Sequence, residues 1–327
     1  MKGVFILKWM ATAAALLLLH SSIPDSLSIN FKEESLGKVE RKDFEQPVWP
    51  LVDEEKLDSL MKNLAPTVYK PPENARFGDS GKIIPEVIGY TLDQERFIEQ
   101  FYDFMYDSGS SAVEVPRRVL YPRVDSEILA PLREKAIGYY VTYFNSRNKS
   151  RSHNIALAAK AIDNTVVFPG ETFSFNETVG IRTREKGYLS APVIVRGEMA
   201  EDIGGGICQV SSTLFNAIDR AGLQVVHRYS HSRHVPYVPS GRDATVSWGG
   251  PDLAFRNPYN QPILLRTFVG QGKIYVTVYS SEMVEFYPRE VPGVSKPKRM
   301  PDEIRIETMV ETRSDHQASS PVRKTSP

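Results

Sequence analysis

The chain has 327 residues, 41% hydrophobic and 24% charged, enough apolar mass for a packed core and too much for wholesale disorder. Forty Lys and Arg balance forty Asp and Glu, so no net field points to nucleic acid as a partner. A single cysteine excludes an intrachain disulfide framework and every multi-cysteine zinc or iron–sulfur site.

Residues 1–24 open with Lys2 and Lys8, followed by an apolar run from Trp9 to Leu19. A charged head before an apolar stretch shorter than a bilayer span reads as a signal peptide or membrane anchor. The bulk of the chain is then expected outside the cytoplasmic membrane, touching it only through this segment.

Residues 25–85 are rich in proline and charge and read as a spacer with one short helix. Leu57, Leu60 and Leu64 share its inner face, and Pro66, Pro71 and Pro72 are expected to close it. Residues 86–133 read as a small helix–strand unit. A capping box from Thr91 to Gln94 precedes an apolar stripe of Phe97, Ile98, Phe101, Phe104 and Met105, and a strand is expected from Ala112 to Leu120.

Residues 134–282 carry the densest pattern. A strand at Ile137–Phe144 precedes a helix capped by Ser152, with Ile155, Ala158, Ala159 and Ile162 facing inward. Strands are expected at Phe173–Phe175 and Ala191–Val195. A second helix starts after Gly204-Gly205-Gly206, its core face formed by Ile207, Val210, Leu214, Ala217, Ile218 and Ala221. Further strands are expected at Leu223–Val226, Ala244–Trp248 and Leu253–Phe255, and Ile263–Val269 pairs with Ile274–Tyr279 as a hairpin. The pattern predicts an α+β fold, mainly antiparallel sheet with two buried helices, beside the small N-terminal unit. Residues 283–327 read as a linker and disordered tail, with one edge strand at Ile304–Ile306.

The sharpest chemical signal is Gly204-Gly205-Gly206-Ile207-Cys208-Gln209-Val210-Ser211-Ser212. Three glycines entering a helix permit close backbone approach, and the dipole at a helix start favours a thiolate at Cys208. Gly204, Gly205, Gly206, Gln209, Ser211 and Ser212, with Arg242 further on, are the candidate ligand-binding set. The same cysteine equally suits a small buried apolar position. A nucleophile needs a base and an orienting group, which His231 and Asp243 supply in sequence. His227, His231 and His234 lie in extended chain without a fixed carboxylate, so no metal is expected there, and no cofactor is called for.

Glu177 follows the aromatic residues Phe173 and Phe175. An acid against apolar walls would suit glycan cleavage of the lytic transglycosylase type, with Asp202 as the nearest second carboxyl. The alternative is a turn residue beside Asn176.

The motifs Tyr143-Phe144-Asn145, His153-Asn154-Ile155, Pro169 through Glu177, Gly187-Tyr188, Ala191-Pro192-Val193-Ile194, Gly204 through Ser212, and Pro239 through Val246 resemble the VanW family of vancomycin B-type resistance accessory proteins and their Gram-positive relatives. The resemblance spans about residues 134–281. The unit from Tyr90 to Pro122 resembles the peptidoglycan-binding domain that often precedes VanW domains. These resemblances imply export, residence in the cell envelope, and peptidoglycan or its precursors as partner, without implying a settled reaction. The order Cys208, His231, Asp243 is also similar to that of transglutaminase-like cysteine enzymes, although the residues around the histidine differ from theirs. Three readings follow: thiol chemistry on wall peptides through a cleft at the glycine run, glycan cleavage through Glu177, or a wall-binding module without catalysis.

Overall fold

The computed structural model describes residues 24–49, 51–106, 111–195 and 198–295. The chain divides into two units, Met1–Pro131 and Leu132–Pro327.

In the first unit, alternation along Ser26–Phe31 buries Leu27, Ile29 and Phe31. This strand pairs antiparallel with Glu34–Glu40 across Lys32 and Glu33, both with positive φ as a tight hairpin turn requires. On its other edge it runs parallel to Ala112–Glu114. Two helices, Glu54–Val68 and Gln94–Tyr106, pack into the same core. Asp53 caps the first, accepting the Lys56 amide, and Asp93, rather than Thr91, caps the second through the Arg96 amide. Phe97, Phe101 and Phe104 are almost wholly buried, and Phe44 stacks edge-on against Phe101 at 5.0 Å between centroids.

Residues 25–85 are therefore more than a spacer: they contribute a strand pair and a helix to the core that holds Phe101. Their apolar alternation holds only three inward residues and is flanked by charge, so local periodicity understates it. Pro66 also fails to stop the first helix. Leu57, Met61, Leu64 and Val68 are all buried, and that continuous face carries the helix two residues past the proline. The strand expected from Ala112 to Leu120 is two short strands, Ala112–Glu114 and Arg117–Leu120. The break falls at Val115-Pro116, where proline lacks a donor.

The second unit is built on a four-stranded antiparallel sheet in the order Lys135–Tyr143, Lys273–Ser280, Ile263–Gly270, Val166–Val167. Helices Lys149–Ile162 and Ile207–Arg220 share a core with its apolar face, including Ile274, Val276 and Val278. Gly138 makes the approach possible: a Cβ there would lie 2.5 Å from the Ala217 carbonyl oxygen. A second sheet joins Thr172–Ser174, Ala254–Arg256 and Gln224–His227, and Ser190–Val195 pairs with Glu198–Ile203 as a hairpin. The fold is α+β with mostly antiparallel pairing, as expected.

Local differences have physical causes. The first helix of this unit is capped by Asn148, which accepts the Arg151 amide, while the Ser152 hydroxyl donates back to the Asn148 carbonyl. Ala244–Trp248 is not a strand, because buried serines of the Ile207–Arg220 helix take the hydrogen bonds of Ala244. Residues 283–295 are not a free linker. Val284 and Val291 are buried, the Tyr140 hydroxyl donates to the Pro292 carbonyl at 2.7 Å, and Arg220 donates to that of Val291. The N-terminal apolar run and the Ile304–Ile306 alternation lie outside the described residues. Among the described residues no helix is long and apolar enough to cross a membrane.

Candidate active site

The glycine run turns the chain out of the Glu198–Ile203 strand into the Ile207–Arg220 helix. Gly204 and Gly206 hold φ of 89° and 106°, a region that L side chains rarely adopt. A Cβ on Gly206 would come within 3.0 Å of Arg151 and Ile155 on the neighbouring helix. Asn154 on that helix fixes the loop, donating to the carbonyls of Gly205 and Leu189 and accepting the Leu189 amide. The three glycines thus shape the backbone that delivers Cys208 to the first helical turn.

Cys208 is half-buried, packed beside the core. Its Sγ lies 3.5 Å from the Val246 carbonyl oxygen and 3.8 Å from the Thr245 hydroxyl. The loop between the Gln224–His227 and Ala254–Arg256 strands brings His231 and Asp243 to it. His231 Nδ1 is 2.6 Å from Asp243 Oδ2, and the His231 backbone amide donates to the same oxygen at 2.6 Å. Their side chains are only 8% and 9% exposed. Arg228 faces the other carboxylate oxygen at 3.6 Å. With Nδ1 against Asp243, the His231 ring is close enough to Cys208 for the two groups to shift each other's protonation.

The electrostatics follow from this line of three groups. Burial pushes the Cys208 thiol up, but hydrogen bonding and charge attraction from His231 outweigh it and bring the thiol below its ordinary value. Burial likewise pushes His231 down, and the sulfur and the Asp243 carboxylate together raise it instead. Asp243 is pushed up by burial and held lower by the His231 amide and ring. Both shifts run toward thiolate and imidazolium, the forms that a nucleophile with a neighbouring base would use.

The other sequence candidates separate into scaffold and periphery. Gln209 is buried, its amide nitrogen donating to Thr142 Oγ1 and the Tyr143 carbonyl. Ser212 donates to the Cys208 carbonyl at 2.6 Å and accepts the Ala244 amide, and Ser211 donates to the Ala244 carbonyl. Arg242 donates to Asn216 and to Asp219 at 2.7 Å. These four, expected to bind ligand, each also hydrogen-bond within the protein, as groups shielded from water must. Glu177 is exposed and lacks the apolar walls expected of it. Asp202 is exposed and accepts the Ile203 amide, and His227 and His234 are exposed. Among the described residues no three His, Cys, Asp or Glu side chains cluster as metal ligands.

A family model described as VanW like protein matches residues 150–279. One described as "Putative peptidoglycan binding domain" matches residues 28–112. The chain is 55% identical over 298 residues to "Uncharacterized protein YoaR" of Bacillus subtilis (strain 168), covering 90% of this chain and 98% of that protein. The chain belongs to the VanW family. This VanW-family chain is also 33% identical over 114 residues to "Vancomycin B-type resistance protein VanW" of Enterococcus faecalis (strain ATCC 700802 / V583). That match covers 33% of the chain and 42% of the Enterococcus protein. No solved structure matches this chain. A VanW domain with a peptidoglycan-binding domain links the chain to the cell wall.

Two residues of the VanW-matched segment reach the site without a signal in the sequence. Burial pushes the Tyr237 phenol far up, and the nearby Cys208 charge adds to that rise. Arg182 follows the Phe175–Val179 helix, and its Nη2 donates to Asn176 Oδ1 at 2.8 Å. Neither sits at a periodic or motif spacing from Cys208, so only the fold connects them.

Proposed function

We propose that this VanW-family protein is an exported, wall-associated enzyme that uses Cys208 as a nucleophile on amide bonds of peptidoglycan peptides. The carrying observation is the buried Asp243–His231 bond of 2.6 Å, in a loop whose Thr245 and Val246 lie against the Cys208 sulfur. Asp243 fixes the tautomer and orientation of His231, and His231 holds the proton taken from the thiol. The thiolate adds to the amide carbonyl, giving a tetrahedral oxyanion. His231 returns its proton to the departing amine as the C–N bond breaks, leaving a thioester on Cys208. Water or an acceptor amine, deprotonated by His231, then releases the acyl group and restores the thiol. The family match over residues 28–112 supports wall attachment by the first unit. The apolar run after Lys8 supports export.

The test is incubation of purified sacculi with the full-length protein and mass analysis of what is released. The parent protein releases peptide-bearing products, and Cys208→Ala loses that activity by at least about a thousandfold. Identical products from Cys208→Ala end the thiol reading. The half-burial of Cys208 favours a second reading, a wall-binding module without catalysis. Pelleting with sacculi without products from any form selects that module.

A further inference from the structure

We infer that Arg182 forms a subsite for a substrate carboxylate beside Cys208, so that the substrate is a peptide with a free carboxylate next to the bond under attack. The inference rests on the thiol reading above and names the substrate class for that same site.

Arg182 is partly buried, and its Nη1 is shielded from solvent with no hydrogen-bond partner among the described residues. Nη2 meets only the neutral Asn176 amide oxygen, and the guanidinium stands over the Phe175 ring at 5.8 Å. Asp252, whose charge reaches Arg182, is already engaged by the Ser174 hydroxyl and the amides of Asn176 and Leu253. Three other partly buried arginines of this unit each face a carboxylate: Arg228 at 3.6 Å, Arg242 at 2.7 Å and Arg266 at 3.0 Å. Arg182 lacks such a partner among the described residues, which leaves a desolvated positive charge and an unused donor.

Its position gives that charge a purpose. The Arg182 stem lies along Gly204, where a Cβ would come 3.4 Å from Arg182 Cβ and 3.5 Å from its Cγ. Gly204 precedes Cys208 by four residues in the loop that enters its helix, and the Cys208 charge acts on Arg182. An anionic oxygen on Nη1 would neutralise the guanidinium and satisfy the donor together. A carboxylate fits the planar guanidinium face, and Phe175 supports that plane from below. A wall stem peptide offers two such groups, the α-carboxylate of a γ-linked glutamate and the C-terminal carboxylate.

The experiment uses full-length Cys208→Ala protein and calorimetry with three synthetic probes: L-Ala-γ-D-Glu-L-Lys-D-Ala-D-Ala, its C-terminal amide, and its glutamate α-amide. One of the two amidations weakens binding about 30-fold, and the sensitive probe identifies which carboxylate is held. Adding Arg182→Gln abolishes the difference between acid and amide, and Arg182→Lys keeps part of it. Equal affinity for all three probes, no measurable binding of any, or a difference that survives Arg182→Gln overturns the subsite. Turnover of the same probes by the parent protein is scored separately. Cleavage of acid and amides at equal rates retains the thiol reading and removes the subsite. Discrimination in calorimetry without turnover removes the thiol reading and retains the subsite. Because the amide probes act on unaltered Arg182, the test stands even if Arg182→Gln fails to fold.

Discussion

The two units bury different kinds of side chain. The first packs Phe44, Phe97, Phe101 and Phe104 with aliphatic residues, and among its described residues no polar side chain is buried. The second buries Asn154, Gln209, Ser211, Ser212, Thr213, Asn216 and Asp243 around one helix. An apolar core tolerates many arrangements of similar volume, whereas a buried polar group is stable only in the geometry that satisfies it. The second unit therefore specifies positions to within a hydrogen bond, as a reactive group requires. The first specifies a surface, which is sufficient for attachment.

The contrast breaks most visibly at the imidazole–carboxylate pair. His231→Ala or Asp243→Asn lowers product release from sacculi by about 10²–10⁴-fold, while pelleting with sacculi is unchanged. Loss of pelleting in parallel would mean that the second unit also attaches. Phe101→Ala, in the apolar core, destabilises the first unit by about 3–5 kcal/mol in thermal or denaturant unfolding. It leaves the alkylation rate of Cys208 untouched, and a changed rate would show that the two units do not divide the work.

Alkylation against pH sharpens the site itself. With Cys208 lowered and His231 raised, the thiolate persists below the usual thiol value of about 8.5. Iodoacetamide should therefore react rapidly at neutral pH, and the rate should fall as acid protonates the thiolate. Removing the Asp243 charge in Asp243→Asn weakens the imidazolium and moves the midpoint upward. A midpoint at the ordinary thiol value in the parent protein contradicts the ion pair. Ser212→Ala costs about 1–3 kcal/mol of stability, because it strands the buried Ala244 amide. The smallest effect is Glu177→Gln, an exposed change expected to lie within about 0.5 kcal/mol and to leave the released products the same.

Legibility from sequence followed the range of the interactions. The Ile263–Gly270 and Lys273–Ser280 hairpin was readable, because alternation and the Gly270-Gln271-Gly272 turn are local. So were the stripe through Phe97 and Phe101 and the start of the Cys208 helix. The strands at 26–40 were not, since their burial depends on helices further along the chain. At the site, Cys208, His231 and Asp243 were selected by residue type and order. Ser211, Ser212, Gln209 and Arg242 were read as a ligand-binding set, and sequence does not show which of their hydrogen bonds other parts of the protein also claim.

By itself the sequence determined which segments become helix or strand over a few turns, and which residues have the chemistry to react. Those outcomes depend on neighbours two to four positions apart. Only the tertiary structure decided that one histidine of three meets Asp243, that Glu177 faces solvent, and that Arg182 lacks an acidic partner among the described residues. Each depends on groups that are distant in the chain and on water excluded from the space between them, and exclusion of water is a property of the packed fold.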